Sequence, residues 1–114
     1  MAAAFLPWEK WIARLLHPIA VAVRRWLYKV RRKRLLSASE GWPEVEGSVV
    51  SIGWDSSFPR EEIVYSYSMA QGYYSGSHWL WFDPSNAREV RIGDRIVLRY
   101  GPQNPEKSVF LKFS

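Results

Sequence analysis

Cysteine is missing from this chain altogether, and histidine occurs only as His17 and His78. Without thiols neither a disulfide framework nor a thiolate metal site can form, so a domain this small must be held by packing. Acidic residues are scarce in the first forty positions, where Glu9 and Glu40 face nine Lys and Arg; positions 41–114 carry seven basic residues against nine acidic ones. The net charge of +5 therefore belongs entirely to the N-terminal segment, and an anionic partner would meet the chain there. That segment also lacks a long apolar run. Its longest stretch free of charged residues is LLHPIAVAV, Leu15 to Val23, well short of the ~20 apolar residues that cross a bilayer as a helix. A secretory signal would place its charges before the apolar core, whereas here Arg24 to Arg34 stand after it and before the small residues Ser37 to Ser39, so cleavage is not expected.

Apolar residues are plentiful: 47% of the 114 positions are hydrophobic and 16% aromatic, which excludes disorder and leaves room for one small folded unit. Phe5, Trp8, Trp11, Ile12, Leu15, Leu16, Ile19, Val23, Trp26, Leu27 and Val30 recur at helical spacing on one half of a wheel, with Lys10, Arg14, His17, Arg24, Arg25 and Arg32 on the other. The pattern predicts an amphipathic, basic helical leader over residues 1–40. Pro18 predicts a break into two helices, about 6–16 and 18–36, because proline interrupts a helix interior.

From Trp42 the helical period gives way to short β-rich runs separated by Gly, Pro, Asn and Asp. Strands are expected at Val45–Trp54, Glu62–Ala70, Tyr73–Phe82, Arg95–Tyr100 and Ser108–Phe113. In the second of them Ile63, Tyr65, Tyr67 and Met69 alternate with Val64, Ser66 and Ser68. Gln71-Gly72 reads as a tight turn that makes the second and third strands antiparallel. Residues 41–114 thus form a mainly β domain, a small antiparallel five-stranded barrel or sandwich.

No catalytic set emerges. Ser77 and His78 are adjacent in a strand and point to opposite faces, so they do not pair as nucleophile and base. Glu61, Glu62, Asp83 and Asp94 lack the paired spacing of acid/base chemistry, and nothing in the pattern calls for a cofactor or a metal. In YGPQNPEKS, Pro102 and Pro105 fix φ and remove donors while Asn104 can bond its own backbone, so this stretch is expected to be a structural connector.

Three segments, WPEVEGSVV, YSYSMAQGYYSG and VRIGDRIVLRYGPQNPEKSVFL, carry in order a Trp-Pro lead-in (Trp42, Pro43), a Tyr-x-Tyr hairpin with a glycine turn, and a strand ending in Tyr-x-Pro-x-Asn-Pro (Tyr100, Pro102, Asn104, Pro105). Together, over Trp42 to Leu111, they resemble the DUF3592 family. The resemblance implies a small β domain attached to a membrane, with no activity attached to it. The chain departs from that family's pattern in carrying an amphipathic Arg-rich leader where a transmembrane span is usual.

The expected function is noncatalytic: a membrane-peripheral binding or interaction module on the cytoplasmic face, whose partner is an anionic membrane surface or a membrane protein. The expected contact residues are Trp8, Trp11, Leu15, Ile19, Arg24, Arg25, Trp26, Lys29, Arg31, Arg32, Lys33 and Arg34, because Trp favours the interfacial zone and Lys and Arg meet anionic headgroups. A nucleic-acid-binding small barrel is the alternative. It would use the basic cluster together with the hairpin aromatics Tyr65, Tyr67, Tyr73, Tyr74, Trp79, Trp81 and Phe82.

Overall fold

The computed structural model describes the backbone of residues 7–86 and 88–114 and the side chains of residues 16–85 and 88–114. The chain divides into two compact units, one ending at Arg34 and the other running from Leu35 to Ser114. In the first unit the helix α1 starts at Pro7 and continues to Ala38. Pro7 opens it, at the one place where a missing N–H costs nothing. The expected break at Pro18 does not occur, because Pro18 lies inside a single 32-residue helix. Proline there forfeits one hydrogen bond and costs about 3 kcal/mol, but nucleation has already been met and every further residue adds a bond.

The second unit holds five strands, β1 (Glu44–Trp54), β2 (Arg60–Met69), β3 (Gly72–Trp81), β4 (Arg95–Tyr100) and β5 (Ser108–Phe113). They form one sheet in the order β3-β2-β1-β4-β5, every neighbour antiparallel, curled into a half-barrel. The fold is therefore mainly β, as the alternation predicts, with a helix ahead of the strands. The concave face carries the core. Ile63, Tyr65 and Tyr67 of β2 are buried with Val49 of β1, Ile96 and Leu98 of β4 and Phe110 of β5, each such side chain worth about 2 kcal/mol when removed from water.

Two local devices bend the sheet. The β1–β2 register shifts between Val49 and Ser51, so Val50 is an extra residue that increases local twist and returns Ile52 to the concave face opposite Ile63. Beyond the end of the β1–β4 ladder, the Val49 N–H donates to the Asp94 carbonyl at 2.9 Å and the Gly93 N–H to the Val49 carbonyl at 2.8 Å. Gly93 takes φ 95° there, which a residue with a Cβ adopts only with strain. The β2–β3 turn lies one residue earlier than expected: Met69 pairs with Gly72, so Ala70-Gln71 is the loop and Gly72 is the first residue of β3. The register is set by keeping Tyr67 and Tyr74 opposite each other on the concave face, their rings stacked at 5.6 Å.

The end strands β3 and β5 meet through side chains. Tyr65 and Ser108 share a hydrogen bond of 2.7 Å beneath Gly76, and His78 stacks on Phe110 at 4.5 Å. The connector between β4 and β5 is closed on itself: the Gly101 N–H donates to the Lys107 carbonyl, the Asn104 N–H to the Gly101 carbonyl, and the Glu106 N–H to the Asn104 side-chain oxygen. The Tyr67 hydroxyl donates to the Pro105 carbonyl and tethers the loop to the core. At the other side of the sheet the Tyr100 N–H donates to the Pro43 carbonyl at 3.1 Å, so the Trp42-Pro43 lead-in extends the β1–β4 pairing.

The last turn of α1 belongs to the β unit. A helix C-terminus leaves carbonyls without partners, and here Arg99 of β4 donates to the Leu36 carbonyl at 3.0 Å and to the buried Ser39 hydroxyl at 3.2 Å. Gly41, at φ 84°, then turns the chain toward β1. Arg99→Met, which keeps the aliphatic stem and removes the donors, is expected to cost about 1.5 kcal/mol in urea unfolding. Both bonds come from the single nitrogen Nη1, so Arg99→Lys, whose ammonium can also donate twice but sits about one bond closer to the backbone, should recover part of that.

Candidate functional site

On a straight helix at 3.6 residues per turn, Leu16, Ile19, Val23, Trp26 and Val30 fall in one strip about 80° wide. The first four are exposed, Trp26 by 62% of its surface, and Val30 is half-buried. Large apolar side chains do not gather in water without reason; scattered singly they mean nothing, but a contiguous row marks a surface meant to be covered. Of the expected contact residues, Ile19 and Trp26 lie in this row. The side chains of Trp8, Trp11 and Leu15 lie outside the described residues.

The seven basic residues of the cluster are sorted by the same geometry. Lys29 and Lys33 lie along one border of the apolar row and Arg31 and Arg34 along the other, with Arg24 further round beyond Arg31; all five are exposed. Arg25 and Arg32 fall on the opposite side of the helix, where they are half-buried alongside Val21 and Tyr28. Burial there pushes the Tyr28 hydroxyl above its ordinary range, against a smaller downward pull from the Arg32 charge. The cluster is thus two groups: five exposed cations, four of them bordering the apolar row, and two half-buried arginines behind it. Leu16 and Val23 join the row although the expected contact set omitted them, and their helical spacing to Ile19 and Trp26 was the signal. Among the described residues no helix is long and apolar enough to cross a membrane.

On the β unit, the convex face of the hairpin carries a different arrangement. Register places Arg60 opposite Trp81 and Glu62 opposite Trp79. The Arg60 guanidinium lies 4.1 Å from the centroid of the Trp79 ring and 5.3 Å from that of Trp81, with Phe58 at 5.2 Å. It is fixed from the other side by Asp55, 2.7 Å away. The Ser57 backbone N–H, then the Arg60 side chain, hold the Asp55 carboxyl below its ordinary pKa, so Asp55 meets the guanidinium as a carboxylate. Arginine over tryptophan is a strong cation–π arrangement; here the cation comes from the protein itself. Sequence alone did not single out Arg60, because its meeting with Trp79 and Trp81 depends on β2–β3 register.

Ser77 and His78 take opposite faces, as the alternation requires: Ser77 is exposed on the convex side, and His78 packs on Phe110 within the half-barrel. Trp42 and Pro43 precede β1, Tyr100 ends β4, and Pro102, Asn104 and Pro105 lie in the β4–β5 connector; of these all but Pro102 take part in the hydrogen bonds that hold the lead-in and the connector. Among the described residues no three His, Asp or Glu side chains gather as metal ligands would. Compared with known proteins, the chain matches no family model, no curated protein and no solved structure.

Proposed function

We propose that this chain is a noncatalytic module held peripherally on an anionic membrane surface, on the cytoplasmic face, through α1, with the β unit as a DUF3592-type domain. The observation that carries the reading is the exposed row Leu16, Ile19, Val23 and Trp26 with Lys29 and Lys33 on one border and Arg31 and Arg34 on the other. A helix of this kind lies in the interface plane, its apolar row sunk toward the acyl chains and its long cationic side chains reaching up to the headgroups. The assignment of the β unit to the DUF3592 type rests on the three sequence segments that carry the resemblance.

The nucleic-acid alternative draws less support. Bases stack on free aromatic faces, and the Trp79 face is occupied by Arg60. Residues 41–114 also carry two more acidic than basic side chains, the wrong sign for a phosphate groove.

Co-sedimentation of the full chain with vesicles tests the reading. Binding is expected to phosphatidylserine-containing vesicles at low salt, weakening as salt rises, with little binding to pure phosphatidylcholine and no displacement by a single-stranded oligonucleotide. Equal binding to both vesicle types, or none, rejects it; displacement by the oligonucleotide transfers the basic cluster to nucleic acid.

A further inference from the structure

Two serines close the helical segment, and their settings differ. Ser39 is buried, and its hydroxyl is engaged twice, donating to the Leu36 carbonyl at 3.3 Å and accepting from Arg99 at 3.2 Å. Ser37, in the last turn of α1, is exposed. It also follows the basic cluster at a definite spacing. In Arg32-Lys33-Arg34-Leu35-Leu36-Ser37, arginines stand five and three residues before the hydroxyl. Protein kinases select substrates by charge pattern, and arginines at those two positions ahead of a serine are what a basophilic kinase reads.

We infer that Ser37 is a phosphorylation site whose phosphate releases α1 from the membrane, an inference that rests on the anionic-surface reading above. The phosphoryl group comes from ATP. A bond forms between Ser37 Oγ and the γ-phosphorus, the bond from that phosphorus to ADP breaks, and the hydroxyl proton passes to a base of the kinase. Ser37 stands at the end of the helix, the part that opens most readily, which lets the hydroxyl be presented to the enzyme. Helical geometry gives the product its effect. Continued at 3.6 residues per turn, the strip that holds the apolar row passes between Lys33 and Arg34 and arrives at Ser37. Residues three and four apart are neighbours on a helix surface, so a phosphate on Ser37 falls beside an arginine and a lysine, both exposed. With about 1.5 to 2 negative charges at neutral pH it offsets those two cations, on the side of the helix where headgroups would meet them. The phosphate is itself repelled by an anionic surface and would lose its water if drawn toward the acyl chains.

The test treats the full chain with ATP and a basophilic serine kinase, locates the phosphate by mass spectrometry, and measures co-sedimentation with phosphatidylserine-containing vesicles. Phosphate is expected on Ser37 and not on the shielded Ser39. The phosphorylated chain should bind about 25-fold more weakly than the untreated one, the worth of about two cations. Ser37→Ala should bind equally before and after the treatment. Ser37→Asp, which places one negative charge there without any enzyme, should bind about fivefold more weakly than Ser37→Ala. A chain that takes no phosphate on Ser37 overturns the inference. So does a chain that binds these vesicles equally well with and without that phosphate, an outcome that leaves the membrane reading standing. An untreated chain that does not bind the vesicles at all removes the reading and the inference together.

Discussion

Alanine in place of Gly76 is expected to destabilise the protein by about 3 kcal/mol, although glycine in a strand interior is ordinarily the weaker residue. An added Cβ at this position would stand 2.6 Å from the Tyr65 hydroxyl oxygen and 2.7 Å from Cζ of the same ring, and it would also strike the Ser108 hydroxyl. None of these can retreat easily. Tyr65 is 1% exposed within the core, and its hydroxyl is bonded to Ser108 at 2.7 Å. The methyl group must therefore push β3 away from β5 or break a half-buried hydrogen bond, and each route costs about 1–3 kcal/mol. In thermal unfolding the loss corresponds to a fall in Tm of more than about 10 °C for a domain of this size. Gly53→Ala is the control. Nothing lies within 4 Å of a Cβ built at Gly53, so its stability should change by less than about 1 kcal/mol. Adding Tyr65→Phe to Gly76→Ala removes the hydroxyl but leaves Cζ in place, and should restore only part of the loss. If Gly76→Ala is as stable as the wild type, β3 and β5 separate freely and the closure of the half-barrel contributes little.

That closure marks where sequence reading stops. The strands themselves are legible because alternation is a local signal: Ile63, Tyr65 and Tyr67 announce a buried face within five residues, and the structure buries them. The amphipathic helix is legible for the same reason. Gly76 reads as an ordinary strand glycine until Ser108, far along the chain, is known to lie beneath it. Arg99 reads as one more exposed cation of β4 until the Leu36 carbonyl is found in front of its guanidinium. Arg60 reads as a strand-opening charge until the β2–β3 register sets it over Trp79. Each of these depends on which distant segment arrives, and a chain-local period carries no such information. Pro18 misleads in the opposite sense: its local preference is strong, and the helix on both sides overrides it. For the candidate site the basic cluster and its apolar companions are evident from composition, but the division of the arginines into exposed and half-buried groups required the structure.

That division leads to the second large effect. Neutralising Arg31, Lys33 and Arg34 together with glutamine is expected to weaken binding to anionic vesicles roughly a hundredfold, at about 1 kcal/mol for each cation brought to the surface and 1.4 kcal/mol for each tenfold. All three are exposed and border the apolar row. Arg25→Gln with Arg32→Gln removes two charges from the half-buried side, and should weaken binding less than tenfold. Counted by charge alone, losing two cations would weaken binding about 25-fold, so a loss of less than tenfold isolates the geometry of the helix. Trp26→Ala probes the other half of the interaction. Losing a side chain that inserts between headgroups should cost about 2 kcal/mol, and the salt dependence of what binding persists should stay as steep as in the wild type, because the cations are untouched. In the triple-glutamine variant the salt dependence should flatten. Helicity by circular dichroism must be equal in all the variants for the comparison to hold, and glutamine is as good a helix former as lysine or arginine. If the two arginine sets prove interchangeable, the helix meets lipid as an undirected cation and the exposed row of Leu16, Ile19, Val23 and Trp26 is turned toward a protein instead.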